Sequence, residues 1–401
     1  MSSEFVEHLE LSEAAEAAVA RANAEEDINA ETVEAVQVEL TAAQEATGTI
    51  PAMVYVFVEA DRLSLIVVPP DGQAFYQSVE VSEEELVEAT RNLQNSLINV
   101  RLRRGDAHKI PGGQLYDWLI APIRADLDRL GIDTLVFALD RGFRGLPLAA
   151  LYNGERYLVE DFAIGLIPSI NLVDFTPSNL RDAPVLAMGA SEFEDLAALP
   201  AVPTELETIA NLTQGRSFTN AEFTLDNTLA QRADYPAPIL HLATHAEFSP
   251  GALENSYIQL WDGKLTLDRM RELSLSDPPV EMMVLSACRT AVGDDNAELG
   301  FAGIAVQSGV KSVVASLWYV SDAGTLSLMS QLYSNIRTEP TRSQALRHTQ
   351  LAMLRGEVTI EDGRIIGPDG EIPIPAELEQ AVYDLSHPYF WAAFTTIGSP
   401  W

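Results

Sequence analysis

The stretch MMVLSACRT, Met282 to Thr290, decides the fold because an apolar run ends there on the only cysteine of the chain. Consecutive apolar residues predict a short strand that is buried on both faces, and small residues then lead to Cys288. The run ILHLATH, Ile239 to His245, has the same form and ends on an imidazole. The segment between the runs is long enough for a hairpin and a helix, so we expect a crossover connection and parallel neighbouring strands. Cys288 and His245 then emerge together at the carboxyl ends of the strands, where open α/β sheets bind ligands.

Length and composition indicate a globular protein with a large core. The 401 residues are 47% hydrophobic, which predicts two domains, or one domain with a substantial extension. No apolar run approaches the roughly 18 to 20 residues of a membrane helix, and the start, MSSEFVEHLE, lacks the features of a signal peptide. We therefore expect a cytoplasmic protein. A single cysteine allows neither an internal disulfide nor a thiolate metal cluster, and we expect no cofactor and no metal.

The charge balance is strongly acidic. The chain carries 59 acidic and 25 basic residues, for a net charge of −34. Such a chain repels nucleic acid and anionic membranes at long range, so we expect neither as a partner. It would attract basic peptides, although a well-hydrated surface from a salt-adapted organism explains the same composition.

Patterning divides the chain into three parts. Residues 1–50 are predicted to be an N-terminal helical extension that is rich in alanine and glutamate. Residues 51–180 are predicted to be a smaller α/β support domain, with a hairpin over Met53 to Val68 and no cluster of cysteine, histidine and acid at a strand end. Residues 181–401 alternate strands and helices, which is typical of a mostly parallel sheet flanked by helices. The fold class is therefore α/β.

Three local expectations follow from turn and helix signals. Ser82 and Glu85 form the pattern of a capping box at the start of a helix. The segment Leu115 to Leu130 is expected to be one helix with a kink at Pro122. The stretch Glu357 to Pro375 is punctuated by glycine and proline, which predicts a loop or flap.

The paired strand ends carry the chemistry. A nearby imidazole can take the proton of a thiol and later protonate a leaving amine, so Cys288 and His245 could act as a catalytic dyad. Backbone N–H groups of Ala246 and Cys288 could form an oxyanion hole. A buried cysteine at a strand end remains the alternative for Cys288. His241, in the middle of its strand, is expected to be a core histidine that hydrogen-bonds to backbone near the site.

Several longer stretches resemble the CHAT family of caspase-like cysteine peptidases. These are HLATHAEF, LSACRTAVGDD, LGFAGIAVQSGVKSVVASLWYVSD and the closing HPYFWAAFTTIG, and the resemblance spans most of residues 110 to 401. The clan also contains separases, gingipains and clostripains. The resemblance implies a caspase-like fold whose support half is a pseudo-caspase-like domain, with Cys288 as nucleophile and His245 as base. The family usually has glycine after the histidine, where this chain has Ala246.

The resemblance also implies a preference for a basic residue before the scissile bond. Asp322 in SLWYVSDAG matches the position of the acid that binds this residue in separase-like patterns, and Ser316 and Trp318 are candidate neighbours in the same pocket. Alternatively, Asp322 caps the helix that follows. The acids of the 294–298 loop, Asp294, Asp295 and Glu298, are further candidates for binding a basic side chain, or simply a solvated loop.

Two functions from different classes remain open. The chain could be a cysteine endopeptidase that a partner or sensor activates, with a regulatory protein docking on the N-terminal helices. It could instead be a catalytically silent caspase-like interaction or scaffold protein in a regulatory or defence pathway. The presence of both Cys288 and His245 favours the enzyme. The same dyad would also serve a hydrolase of other acyl groups.

Overall fold

Strands and helices alternate through the computed structural model, which describes residues 30–103, 105–140, 143, 145–248, 255–287, 300–379 and 383–401. The chain divides into two compact units. Unit 1 runs to Asn171 and also takes Phe175–Pro177 and Trp401. Unit 2 consists of Leu172–Asp174 and Ser178–Pro400.

The sheet of unit 1 has the strand order β3-β2-β1-β4-β5. Neighbours are antiparallel from β3 to β1 and parallel from β1 to β5. The expected hairpin over Met53 to Val68 is confirmed as β1 and β2, since Met53 pairs with Val68. The strands are β1 Pro51–Glu59, β2 Arg62–Val68, β3 Phe75–Glu80, β4 Thr134–Leu139 and β5 Ala163–Ile167.

The helices of unit 1 follow the sequence signals with one difference. The capping box is confirmed: the Ser82 hydroxyl accepts from the Glu85 N–H while the Glu85 side chain accepts from the Ser82 N–H. The single kinked helix was wrong, because Pro122 stands in the first turn of a separate helix, where its missing N–H costs nothing. The helices are α1 Ala30–Thr47, α2 Glu83–Ile98, α3 Lys109–Leu119, α4 Ala121–Leu130 and α5 Leu158–Asp161, with a 3₁₀ turn at Leu148–Ala150.

The sheet of unit 2 has the order β17-β13-β12-β8-β6-β7. All neighbours are parallel except β13 and β17. The prediction that β8 and β12 are parallel neighbours is confirmed, with Met282 opposite Ile239 and Ser286 opposite Ala243. The strands are β6 Val185–Gly189, β7 Arg216–Thr219, β8 Ile239–Ala243, β12 Met282–Ser286, β13 Ser312–Ser316 and β17 Phe394–Gly398.

Helices and two smaller sheets complete unit 2. The helices are α6 Val202–Thr213, α7 Leu225–Asp234, α8 Gly300–Gln307, α9 Asp322–Ile336, α10 Arg342–Leu354 and α11 Pro388–Trp391. One small sheet joins β9 Ala246–Glu247, β10 Tyr257–Leu260 and β11 Gly263–Thr266. The other joins β14 Thr359–Glu361, β15 Arg364–Gly367 and β16 Gly370–Pro373. The loop predicted for Glu357 to Pro375 was therefore wrong, because its glycines make hairpin turns between short strands.

The apolar runs form the core of unit 2 as their patterning indicates. Met282, Met283 and Val284 are fully buried, as expected for a strand covered on both faces. Each such side chain contributes roughly 1.5 to 3 kcal/mol by leaving water. This core fixes where β8 and β12 end. His245 and Cys288 each follow two residues after those ends in the sequence.

Candidate active site

His245 stands two residues beyond the end of β8 and is half-buried. Its Nε2 lies 2.8 Å from the carbonyl oxygen of Ala197, and its ring centroid lies 4.7 Å from that of Phe193. A carbonyl oxygen only accepts hydrogen bonds, so Nε2 carries the proton and donates it. The lone pair of the neutral ring is then on Nδ1, which is the nitrogen that can act as a base. No sequence motif indicated Ala197, because its contribution is a backbone carbonyl.

Backbone hydrogen bonds hold His245 in position. The Gln259 N–H donates to the His245 carbonyl at 2.8 Å, and the Thr244 hydroxyl donates to the Gln259 carbonyl at 2.7 Å. Ala246, the first predicted oxyanion-hole residue, follows in β9 and stands opposite Ile258 of β10. The segment that follows β8 is thus hydrogen-bonded to β10 of the small sheet. These bonds position the backbone of His245, and the bond to Ala197 orients its imidazole.

Cys288, the predicted nucleophile and second oxyanion-hole residue, lies outside the described residues, as do Asp294, Asp295 and Glu298. The chain is described as far as Ala287, whose carbonyl accepts a hydrogen bond of 2.6 Å from the Ser316 hydroxyl. The register of β12 on β8 sets Ser286 level with Ala243. Cys288 and His245 therefore follow their strands by the same number of residues.

A small cavity of about 40 Å³ lies beside these strand ends. Thr244 and Ala287, the residues before His245 and Cys288, both line it. The volume suffices for about three water-sized groups. The predicted pocket residues Ser316, Trp318 and Asp322 all line the same cavity, and the remaining lining residues are Leu199, Ala201, Val202, Glu205, Ser286, Tyr319, Val320, Thr325 and Phe394. The Trp318 indole is fixed by its N–H, which donates to the Tyr389 carbonyl at 3.0 Å.

Asp322 is the first residue of α9, and the N-cap position belongs to Ser321. Burial raises the pKa of its carboxyl to about 6, and the charge of Glu205 acts in the same direction. Backbone N–H groups of Ala201 and of Asp322 itself oppose this rise. Its Oδ2 is buried and has no hydrogen-bond partner in the described part of the chain. Asp322 lines the cavity, so a hydrogen-bond donor that enters the cavity could approach this carboxylate.

The start of α9 is held against the segment that carries α11. Gly324 makes this approach possible, because a Cβ at that position would lie 2.6 Å from Cδ1 of the Phe390 ring. A larger residue would require the Phe390 ring or the start of α9 to shift.

A buried polar network lies behind the cavity, and the sequence did not indicate it. His241 is fully buried, as expected of a core histidine, but its partners are side chains and not backbone. Its Nε2 lies 2.9 Å from Glu205 Oε1, and its Nδ1 lies 3.1 Å from the Tyr333 hydroxyl. Glu205 also lines the cavity, so the network reaches the same space as Asp322.

Within the described ranges, no group of three or more His, Cys, Asp or Glu side chains could hold a metal ion. Among the same residues, no helix is long and apolar enough to cross a membrane.

The chain is similar to a known domain family in sequence and to solved peptidase structures in fold. Residues 109–399 match the family model of the CHAT domain. No curated protein matches the chain. Two solved structures of the Saccharomyces cerevisiae separase–securin complex are similar at TM-scores of 0.52 and 0.51, each with 9% sequence identity. They cover 92% and 91% of this chain, which spans only 31% of the separase chain. A complex of the Porphyromonas gingivalis RgpB pro- and mature domains has a TM-score of 0.41 and 10% identity, over 79% of this chain and 75% of that chain. This similarity is too low to support a conclusion about the present chain.

Proposed function

The chain belongs to the CHAT domain family and has a caspase-like peptidase fold, and from this premise we propose that it is a cysteine endopeptidase that cuts after a basic residue. Cys288 is the nucleophile and His245 the general base. The observation that carries the proposal is the hydrogen bond from His245 Nε2 to the Ala197 carbonyl. It leaves Nδ1 as the basic nitrogen, just beyond the end of β8, the strand that neighbours β12.

The dyad would work in two stages. His245 Nδ1 takes the thiol proton, and the Cys288 thiolate attacks the carbonyl carbon of the scissile peptide. Backbone N–H groups of Ala246 and Cys288 stabilise the oxyanion. The C–N bond then breaks as the leaving amine takes the proton from the His245 imidazolium. Water, deprotonated by the same imidazole, attacks the thioester and releases the acid product and the thiol.

The cavity suits the head of a basic side chain. The unpartnered Oδ2 of Asp322 would accept a hydrogen bond from a guanidinium or ammonium group, and such charge-assisted bonds are about twice as strong as neutral ones. The volume of about 40 Å³ accommodates a small planar cation. Because the pKa of Asp322 is raised to about 6 by burial, binding of a cation should strengthen as the pH rises through 6.

We also propose that a protein partner controls the activity. The separase to which this fold is similar was solved in complex with securin. In this proposal the regulatory protein docks on the helical segment before Pro51, which is rich in alanine and glutamate.

A positional peptide library tests the proposal. The parent and Cys288→Ala proteins are incubated with peptides that carry Arg, Lys or neutral residues before the scissile bond, and a peptidyl arginyl chloromethyl ketone is used as a covalent probe. We expect the parent to cleave after Arg or Lys and to gain one adduct, on the peptide that contains Cys288. An inert parent that gains no adduct would favour the scaffold function instead, and cleavage only of non-peptide esters would favour an acyl hydrolase.

A further inference from the structure

The buried trio of Glu205, His241 and Tyr333 connects α6, β8 and α9 behind the cavity. Glu205 is 2% exposed and the two rings are fully buried. Burial raises the pKa of Tyr333 well above its usual value, and the charge of Glu205 adds to this rise. The phenol therefore stays protonated and can donate to His241 Nδ1, while His241 Nε2–H donates to the Glu205 carboxylate. All three side chains have hydrogen-bond partners in this arrangement.

We propose that Glu205 is a second specificity-determining residue of the cavity, a carboxylate that acts together with Asp322 to select a side chain with a cationic head. This inference rests on the proposed endopeptidase function and deepens it. The described residues that line the cavity include both carboxylates and no Lys, Arg or His. Two acids thus face one small space with no Lys or Arg among the described residues that line it, and a substrate cation would complement them.

Burial strengthens the attraction between a carboxylate and a cation in the cavity. Attraction between charges is much stronger in a water-poor cavity than at the surface, so a carboxylate can contribute to cation binding without a direct contact. An isolated buried carboxylate costs several kcal/mol, and the bond from His241 offsets part of that cost for Glu205. His241 and Tyr333 are therefore positioning residues, since they hold the Glu205 carboxylate at the cavity and would not touch the substrate.

The pH dependence follows from the groups that surround Asp322. Glu205 faces it from α6, with His241 of β8 behind Glu205 and Tyr333 on the helix of Asp322 itself. Tyr383, in the segment before α11, also senses its charge, after the larger effect of its own burial. Among these groups Glu205 is the one that raises the pKa of Asp322 by its charge. Replacing Glu205 with a neutral residue should therefore lower the pKa of Asp322.

The experiment uses two peptides that differ only before the scissile bond, one with arginine and one with citrulline, its uncharged isostere. We expect Glu205→Gln in the full chain to lower kcat/KM for the arginine peptide by about 10- to 100-fold and to change cleavage of the citrulline peptide little. The acid limb of the arginine profile should also move to lower pH. Glu207→Gln is the matched control, because Glu207 is exposed on the same helix, and it should match the parent.

Two outcomes would overturn the inference. One is an equal loss on both peptides with no shift of the acid limb, which a merely structural role would produce. The other outcome can be measured even if Glu205→Gln does not fold. Asp322→Asn should retain a residual preference for arginine over citrulline, because Glu205 is still present. Complete loss of that preference in Asp322→Asn would show that Glu205 does not contribute to selecting the cation. If the parent cleaves neither peptide, the proposed function fails separately. Binding of n-butylguanidinium against n-butylurea to Cys288→Ala, with and without Glu205→Gln, then decides whether Glu205 attracts a cation.

Discussion

The two units use the acids near their strand ends differently. In unit 1, Asp140 follows β4, and its Oδ2 accepts the Val58 N–H of the neighbouring strand at 2.9 Å. In unit 2, Asp322 keeps a buried oxygen that no described group satisfies. A buried acceptor without a donor is costly, so the Asp140 carboxylate stabilises the fold through its bond to the backbone, whereas the unpaired oxygen of Asp322 should cost stability unless a donor reaches it. We therefore expect the two acids to respond differently to substitution.

The two units also differ in the surroundings of a buried histidine. His108 of unit 1 is buried, its Nε2 lies 2.7 Å from the Tyr157 hydroxyl, and burial lowers its pKa. His241 of unit 2 also contacts a tyrosine hydroxyl, but its other nitrogen meets the Glu205 carboxylate. Glu205 also lines the cavity, so the buried histidine of unit 2 connects a tyrosine hydroxyl to a carboxylate at that space. In unit 1 the charge of Asp106 acts on His108, but Asp106 is exposed and is not among the described residues that line the cavity.

The largest expected effect separates the histidines of the two units. His245→Ala should lower kcat/KM for an arginine peptide by about 10³-fold or more, because the thiol loses its base and the leaving amine loses its acid. His108→Ala should leave kcat near that of the parent and lower the free energy of unfolding by about 1 to 3 kcal/mol, since it breaks the bond to Tyr157. Peptide kinetics and urea unfolding measure the two effects. A kinetic loss in His108→Ala as large as in His245→Ala would remove the distinction between the units.

The next effect compares the two acids. Asp322→Ala should reduce cleavage after arginine roughly 100-fold, because the cation loses a charge-assisted hydrogen bond in a desolvated cavity. Asp140→Ala is the matched variant in unit 1. It removes the acceptor of the Val58 N–H and should lower stability by about 1 to 3 kcal/mol without changing the choice of arginine over citrulline. Equal loss of melting temperature and of activity in Asp322→Ala would instead assign Asp322 to the stability of α9.

A smaller effect is visible in the pH dependence of stability. The pKa of Asp322 in the folded state, about 6, is higher than in the unfolded chain, so ionisation favours unfolding. Parent stability should therefore fall as the pH rises from about 4 through 6, by about 1 to 3 kcal/mol because solvent still reaches part of the side chain. Asp322→Asn should lack this fall and be more stable than the parent at pH 7 but not at pH 4. Urea unfolding across this range measures the gap, and a less stable variant at pH 7 would contradict the cost of burying this charge.

The sequence predicted the parts of the site that depend on residue patterns. It did not predict those that depend on which side of a helix is packed against the rest of the protein. Apolar runs specified β8 and β12 as parallel neighbours, because a strand buried on both faces needs such a run. Glu205 and Glu207 look alike in the predicted helix over Pro203 to Leu212, and only packing shows that the first is buried and the second exposed. The β14–β16 sheet was missed because strands of three or four residues are too short to show an alternating pattern.

The smallest expected effect tests the two tyrosines. Tyr157→Phe and Tyr333→Phe each delete one hydroxyl that contacts a buried histidine, and each should cost about 1 kcal/mol of stability. Tyr333→Phe should in addition lower the preference for arginine over citrulline several-fold, because the ring of His241 then loses one of the two bonds that orient it toward Glu205. Tyr157→Phe should leave this preference unchanged, because neither Tyr157 nor His108 is among the described residues that line the cavity. Unfolding curves and paired peptide kinetics measure both quantities. The contrary outcome is that the two variants lose stability alike while neither changes the preference for arginine. In that case packing alone would hold the Glu205 carboxylate in position, and the Tyr333 hydroxyl would not be needed to orient it.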